Sequence, residues 1–191
     1  MNPTNTTNIE RGGKTSSLRA NDANDPAQRV FFDTNIVVYC FDTLEPRKQS
    51  RAKDLLAHAL NSKLGVVSYQ VIQEFCNVAT KAKRLQLPQE RILAYVNLVL
   101  QPMNQVGSSP ALIESALKLR GEHGFSFYDS LIIVAATQAK CEVLYSEDMQ
   151  HRQRVGDLQI VNPFLKVAND QIDLAYAFKD PMSNLSRVSA T

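Results

Sequence analysis

The stretch "VFFDTNIVVYCFD", Val30 to Asp42, decides the fold, because a polar tripeptide interrupts an apolar run there. A single strand over 30–41 would carry Asp33, Thr34 and Asn35 in its middle, and burying an unpaired carboxylate is costly. A strand that stops at Phe32, followed by a turn and a helix, uses the same three residues to cap and bend. The sequence therefore predicts a helix beginning just after Asp33. The β-branched "IVVY" argues for a strand, but tertiary context overrides such preferences. Asp33 itself then needs a partner, a metal ion or a raised pKa.

Outward from this stretch, short β-type runs alternate with helical ones. Strands are predicted at 29–32, 64–67, 103–106, 142–145 and 158–161. Between them, Ala52, Leu55, Leu56, Ala59 and Leu60 repeat at helical spacing within 47–61. Ser68 caps a second helix running to about Arg84, with Val71, Ile72, Phe75, Val78, Ala79 and Ala82 as its buried stripe. Pro88 and Pro110 suit helix starts. A further helix spans about Tyr128 to Lys140. Such alternation predicts a parallel sheet covered by helices on both faces.

Length and composition fit one domain with tails: 191 residues, 44% hydrophobic and 21% charged. Residues 1–28 are polar and read as a disordered arm, 29–164 as the folded domain, and 165–191 as an extension. Within that extension "NDQIDLAYAFKDP" suits one short helix before Pro181. No apolar run approaches the ~20 residues of a membrane span, and no secretory signal pattern opens the chain. Cys40, Cys76 and Cys141 are odd in number and lack metal-ligand spacing, so reduced core thiols in a cytoplasmic protein are expected. The net charge of +2 is too mild to diagnose a nucleic-acid binder, although basic residues cluster at 47–53, 81–84 and 151–154.

In open α/β sheets ligands bind at the carboxyl ends of strands. Asp33 follows the first strand and Asp148 follows the fourth. Glu74 lies early on the Ser68 helix, and Asp129 opens the helix "FYDSLIIVAA". Each alone suits a helix cap, a helix N-terminus or a turn. Their shared edge is what points to a site. Two carboxylates about 5 Å apart repel by roughly 3 kcal/mol at an effective dielectric near 20. Four gathered acids therefore call for protonation or a cation. An all-oxygen donor set favours Mg2+ or Mn2+ over zinc, since His58, His123 and His151 are scattered. Asp33, Asp129 and Asp148 are the expected metal ligands, with Thr34, Asn35 and Ser146 holding the acids in place. Such a site suits phosphodiester hydrolysis. Arg152 and Arg154, close after Asp148, are expected to contact a bound RNA strand.

"FFDTNIVVY", "SYQVIQEFCNV", "FSFYDSLIIVAA", "LYSEDM" and "IVNPF", in this order across about 29–164, resemble the PIN-domain nucleases, most closely the VapC-type ribonuclease toxins of toxin–antitoxin pairs. The resemblance implies a three-layer α/β/α fold with a central five-stranded parallel sheet. It implies a Mg2+- or Mn2+-dependent endoribonuclease with catalytic acids at Asp33, Glu74, Asp129 and Asp148. It also implies a cytoplasmic homodimer restrained by a cognate antitoxin. The chain departs from the family pattern in having Ser146 where Thr is usual, and in extending past the domain at both ends. Three rivals stand beside this reading. A haloacid-dehalogenase-like phosphatase needs an Asp where Asn35 stands. A PIN nuclease of RNA processing keeps the chemistry and changes the substrate. A silent PIN scaffold would bind RNA or protein without cleaving.

Overall fold

The computed structural model describes residues 28–81 and 85–165. The expected N-terminal arm, the short helix before Pro181, and Ala82, Lys83 and Arg84 lie outside the described residues.

The chain runs β1 (Val30–Phe32), α1 (Thr34–Tyr39), α2 (Pro46–Ser62), β2 (Gly65–Ser68), α3 (Tyr69–Lys81), α4 (Gln89–Tyr95), a π-helical turn (Val96–Leu100), α5 (Gln101–Met103), β3 (Asn104–Val106), α6 (Pro110–His123), α7 (Phe127–Gln138), β4 (Val143–Tyr145), β5 (Arg154–Val155) and β6 (Leu158–Val161). The opening stretch behaves as its polar interruption demands. β1 stops at Phe32, and Asp33 caps α1 by accepting the Thr34 N–H. Helical winding lets Ile36, Val37 and Cys40 bury together, which a strand with alternating faces could not do.

One six-stranded sheet results, in the order β3-β2-β1-β4-β6-β5. Five strands are parallel, as expected. The sixth, β5, is a two-residue antiparallel partner of β6 that the sequence reading did not include. Arg154–Val155 turns back through Gly156 at positive φ, and two residues give too short a period to read. β1 is buried on both faces, between parallel neighbours β2 and β4. The connections from β1 through β2 to β3 step one way along the sheet, and β4 and β6 lie on the other side of β1. Right-handed crossovers therefore set α2–α5 and α6–α7 on opposite faces, giving three layers. The reversal of strand order makes the carboxyl ends of β1 and β4 the switch point of the sheet.

The helix boundaries follow local chemistry. Ser109 caps α6 through the Leu112 N–H, and Ser126 caps α7 through the Asp129 N–H. Pro102 withholds the N–H that Leu98 would bond, and the helix widens there into its π turn. Cys40 and Cys141 are buried, Cys76 half-buried, and all three are free thiols. Burial pushes Cys40 up to about 11 and Cys141 up to about 12. Among the described residues no helix is long and apolar enough to cross a membrane.

Gly65 marks a close helix-to-sheet approach. A Cβ there would stand 2.6 Å from Met103 Sδ and 2.8 Å from Ala59 Cβ. Met103 can swing, but Ala59 is fixed on α2. Gly65→Ala is expected to destabilise by about 2 kcal/mol, lowering Tm by roughly 6 °C in a melt followed by circular dichroism.

Candidate active site

Asp33 is 8% exposed at the end of β1, and its backbone N–H is tied to the Tyr145 carbonyl at 3.0 Å. This bond fixes the two strand ends against each other. The carboxylate is fully engaged. Oδ1 accepts the Thr34 N–H at 2.6 Å. Oδ2 accepts from Ser146 Oγ at 2.7 Å and from Asn35 Nδ2 at 3.1 Å. The same amide donates to Asp148 Oδ2 at 3.0 Å, so Asn35 spans the two acids. Thr34 turns the other way and donates to Glu74 Oε2 at 2.6 Å. Gln70, one turn earlier on α3, donates to Glu74 Oε1 at 2.8 Å.

Burial pushes the Asp33 carboxyl up to about 6; the bonds from Ser146 and Thr34 pull against it, and the charges of Asp148 and Glu74 add to the rise. Three of the four expected acids thus share one environment, joined through Thr34, Asn35 and Ser146. Ser146 donates its hydroxyl to Asp33, so the Ser in place of the usual Thr keeps a donor there.

Asp129 is not joined to them. It is half-exposed in the first turn of α7, and its carboxylate makes no hydrogen bond or ion pair with the other three. Its backbone N–H is the one capped by Ser126. Four residues separate the helix from β4, and it is about 18 Å long, so its first turn stands toward the carboxyl edge of the sheet. Among the described residues no three His, Cys, Asp or Glu side chains are gathered closely enough to hold a metal ion as they stand. Of the four carboxylates expected from the sequence, Asp33, Glu74 and Asp148 are linked by hydrogen bonds, and Asp129 stands in the first turn of α7 without a bond to them. In donor chemistry the residues fit Mg2+ or Mn2+, being hard oxygens only. His151 is occupied otherwise: its Nδ1 accepts the Asn162 N–H at 3.1 Å.

Arg152 and Arg154 are exposed; Arg152 lies in the turn before β5, and Arg154 opens that strand. Arg154 pairs with Gln159, Gln159 with Val143, and Val143 with Val30. Arg154 is thus level with a residue three before Asp33 and three strands across, about 17 Å away. A contact from Arg154 would fall on a phosphate remote from the one beside Asp33.

Several residues of the site went unread in the sequence. Glu147 takes a salt bridge from Lys48 at 2.5 Å, and Lys48 also donates to Tyr39 Oη at 3.0 Å. The basic cluster at 47–53 reads as a solvated helix face, and nothing local marks Lys48 out. Gln70 was findable, being four residues before Glu74 on one helix. A concavity of about 480 Å3, lined by Phe41, Lys53, Leu56, Arg91, Tyr95 and Leu98 among others, lies apart and shares no residue with the acids.

The PIN domain family model matches residues 30–156, two thirds of the chain. The chain belongs to the PIN domain family. No curated protein matches it. Among solved structures, this PIN domain is similar to a toxin–antitoxin complex from Klebsiella pneumoniae, at 21% identity over 71% of this chain and 98% of that one, with a TM-score of 0.50. It is also similar to FitAB bound to an IR36 DNA fragment, at 18% identity over 73% and 99%, with a TM-score of 0.51. For VapC20 of Mycobacterium tuberculosis, a sarcin–ricin loop cleaving toxin, the values are 17%, 62%, 89% and 0.48. The first two likenesses agree with the fold described above.

Proposed function

We propose that this PIN domain is a divalent-metal-dependent endoribonuclease that hydrolyses RNA phosphodiester bonds as the toxin of a VapBC-type pair. The observation that carries the proposal is Asp33: a buried carboxylate at the switch point of the sheet, bridged by Asn35 to Asp148 and charge-coupled to Glu74. A structural cap alone needs neither neighbour.

Asp33 and Asp148, with Asp129 from α7, would hold Mg2+ or Mn2+, which when bound acidifies a water and offsets charge on the phosphate. The remaining residues position. Ser146 and Thr34 hold Asp33 ionised against its burial. Thr34 and Gln70 occupy both Glu74 oxygens and fix its charge beside Asp33. Catalytic roles are assigned to Asp33, Glu74, Asp129 and Asp148. Support for the toxin role comes from the family and from a fold shared with toxin–antitoxin complexes. It brings with it a cognate antitoxin, a homodimer and a cytoplasmic site of action.

The test is incubation of the purified chain with labelled RNA and with DNA of matching sequence. Metal-dependent fragments from RNA alone are expected. Intact RNA at every Mg2+ and Mn2+ concentration would favour the silent scaffold, and fragments unaffected by chelation would remove the metal.

A further inference from the structure

Glu147 lies between the two residues that matter most in the loop after β4. Ser146 donates to Asp33, and Asp148 accepts from Asn35. Glu147 contributes nothing to either bond, yet its side chain is held firmly. Lys48 Nζ sits 2.5 Å from Glu147 Oε1 and 3.0 Å from Tyr39 Oη. It also stands over two rings, 4.7 Å from the centroid of Tyr39 and 5.7 Å from that of Phe164. Those rings meet edge to face at 4.9 Å. The Glu147 backbone is held as well: its N–H donates to Asn35 Oδ1 at 3.4 Å, and its carbonyl accepts from Asn162 Nδ2 at 3.5 Å. Four segments therefore converge on one loop residue: the end of α1, the first turn of α2, the loop itself, and the chain after β6.

Stability is a poor explanation for this convergence. The pair is 27% and 23% exposed, and solvent-screened pairs contribute at most about 1 kcal/mol. Geometry is a better one. Immobilising Glu147 fixes the peptide units on both sides of it, and those units place Ser146 Oγ and the Asp148 carboxylate. We propose that Lys48 and Glu147 form a positioning pair that holds Asp148 where it can share a divalent ion with Asp33. The proposal rests on the metal-dependent reading above.

The sign of a metal titration separates placement from charge. Lys48→Met removes a positive charge, so charge alone predicts tighter Mn2+ binding. Loss of placement predicts weaker binding. MnCl2 titrated calorimetrically into the metal-free full chain is expected to show about tenfold weaker binding for both Lys48→Met and Glu147→Ala. Glu147→Gln keeps an acceptor for Lys48 and is expected to stay within about threefold of wild type. Amide hydrogen exchange at Glu147 and Asp148, measured without metal, is expected to quicken in Lys48→Met and Glu147→Ala only. Tighter binding by Lys48→Met, equal losses in Glu147→Ala and Glu147→Gln, or unchanged exchange would each overturn the pair's role. Asp33→Asn run alongside tells the two levels apart. Binding lost there but intact in Lys48→Met sinks only the positioning pair, whereas a wild type that binds no Mn2+ sinks both.

Discussion

Asp33→Asn is expected to abolish RNA cleavage, by a thousandfold or more, while making the protein harder to melt at neutral pH. The loss corresponds to about 4 kcal/mol of barrier. The gain in stability follows from the raised pKa. The Asp33 carboxyl moves from 3.8 in the unfolded chain to about 6 when buried beside Asp148 and Glu74. Between those values the native state holds a proton that the unfolded chain has lost. The contribution of Asp33 to stability is therefore full below about pH 4 and is lost as pH rises through 6. By pH 7.5 the ionised side chain costs up to about 3 kcal/mol.

The Asp33→Asn side chain would escape that cost. Asn caps helices as well as Asp does, and its Oδ1 still accepts the Thr34 N–H. Its amide end, however, meets the Asn35 donor, which takes back part of the gain. A net rise of about 1 kcal/mol, roughly 3 °C in Tm, is expected at pH 7.5 and should vanish near pH 4. Paired melts at the two pH values check it. A variant that melts below wild type at pH 7.5 would show that the carboxylate is worth more as a bonded cap than it costs as a buried charge. A stabilised but inactive variant is the pattern expected where stability is given up for function.

The second large effect concerns the cation. Saturating Mn2+ should stabilise the wild type by about 2.7 kcal/mol at one hundred times Kd, a rise of some 8 °C. Asp33→Asn should show little of it. Because the ion competes with the proton on Asp33, apparent affinity should fall about tenfold per pH unit below 6 and level off above 7. Melts over a Mn2+ series at pH 5, 6 and 7.5 provide the measurement. Equal rises in both proteins would locate the ion away from Asp33. A pH-independent affinity would mean that Asp33 is not a ligand.

Much of this architecture is legible along the chain. Strand positions, the helix after Asp33 and the Ser68 cap are set within a few residues of themselves, by hydrophobic period and by side chains bonding nearby N–H groups. Gln70 and Glu74 could be paired by helical spacing alone. β5 was beyond reach, since its two residues are in strand geometry only because β6 lies beside them. The reach of the basic clusters was hidden for a similar reason. Closeness to Asp148 in sequence suggested Arg154 as a contact to a bound strand, and antiparallel pairing sets that residue farther down the sheet. Lys48, a hundred positions from Glu147, does reach the site.

The sequence by itself determined which side chains were available for chemistry: hard oxygen donors after β1 and β4, hydroxyl and amide groups to hold them, and no soft ligand set. Only the tertiary structure decided which of them meet. Asn35 bridges Asp33 to Asp148 because β1 and β4 are neighbours at the reversal of strand order. Periodicity and capping are local energies that a short window of sequence contains. The pairing of distant strands is chosen by burial of the whole core, and no short window contains that.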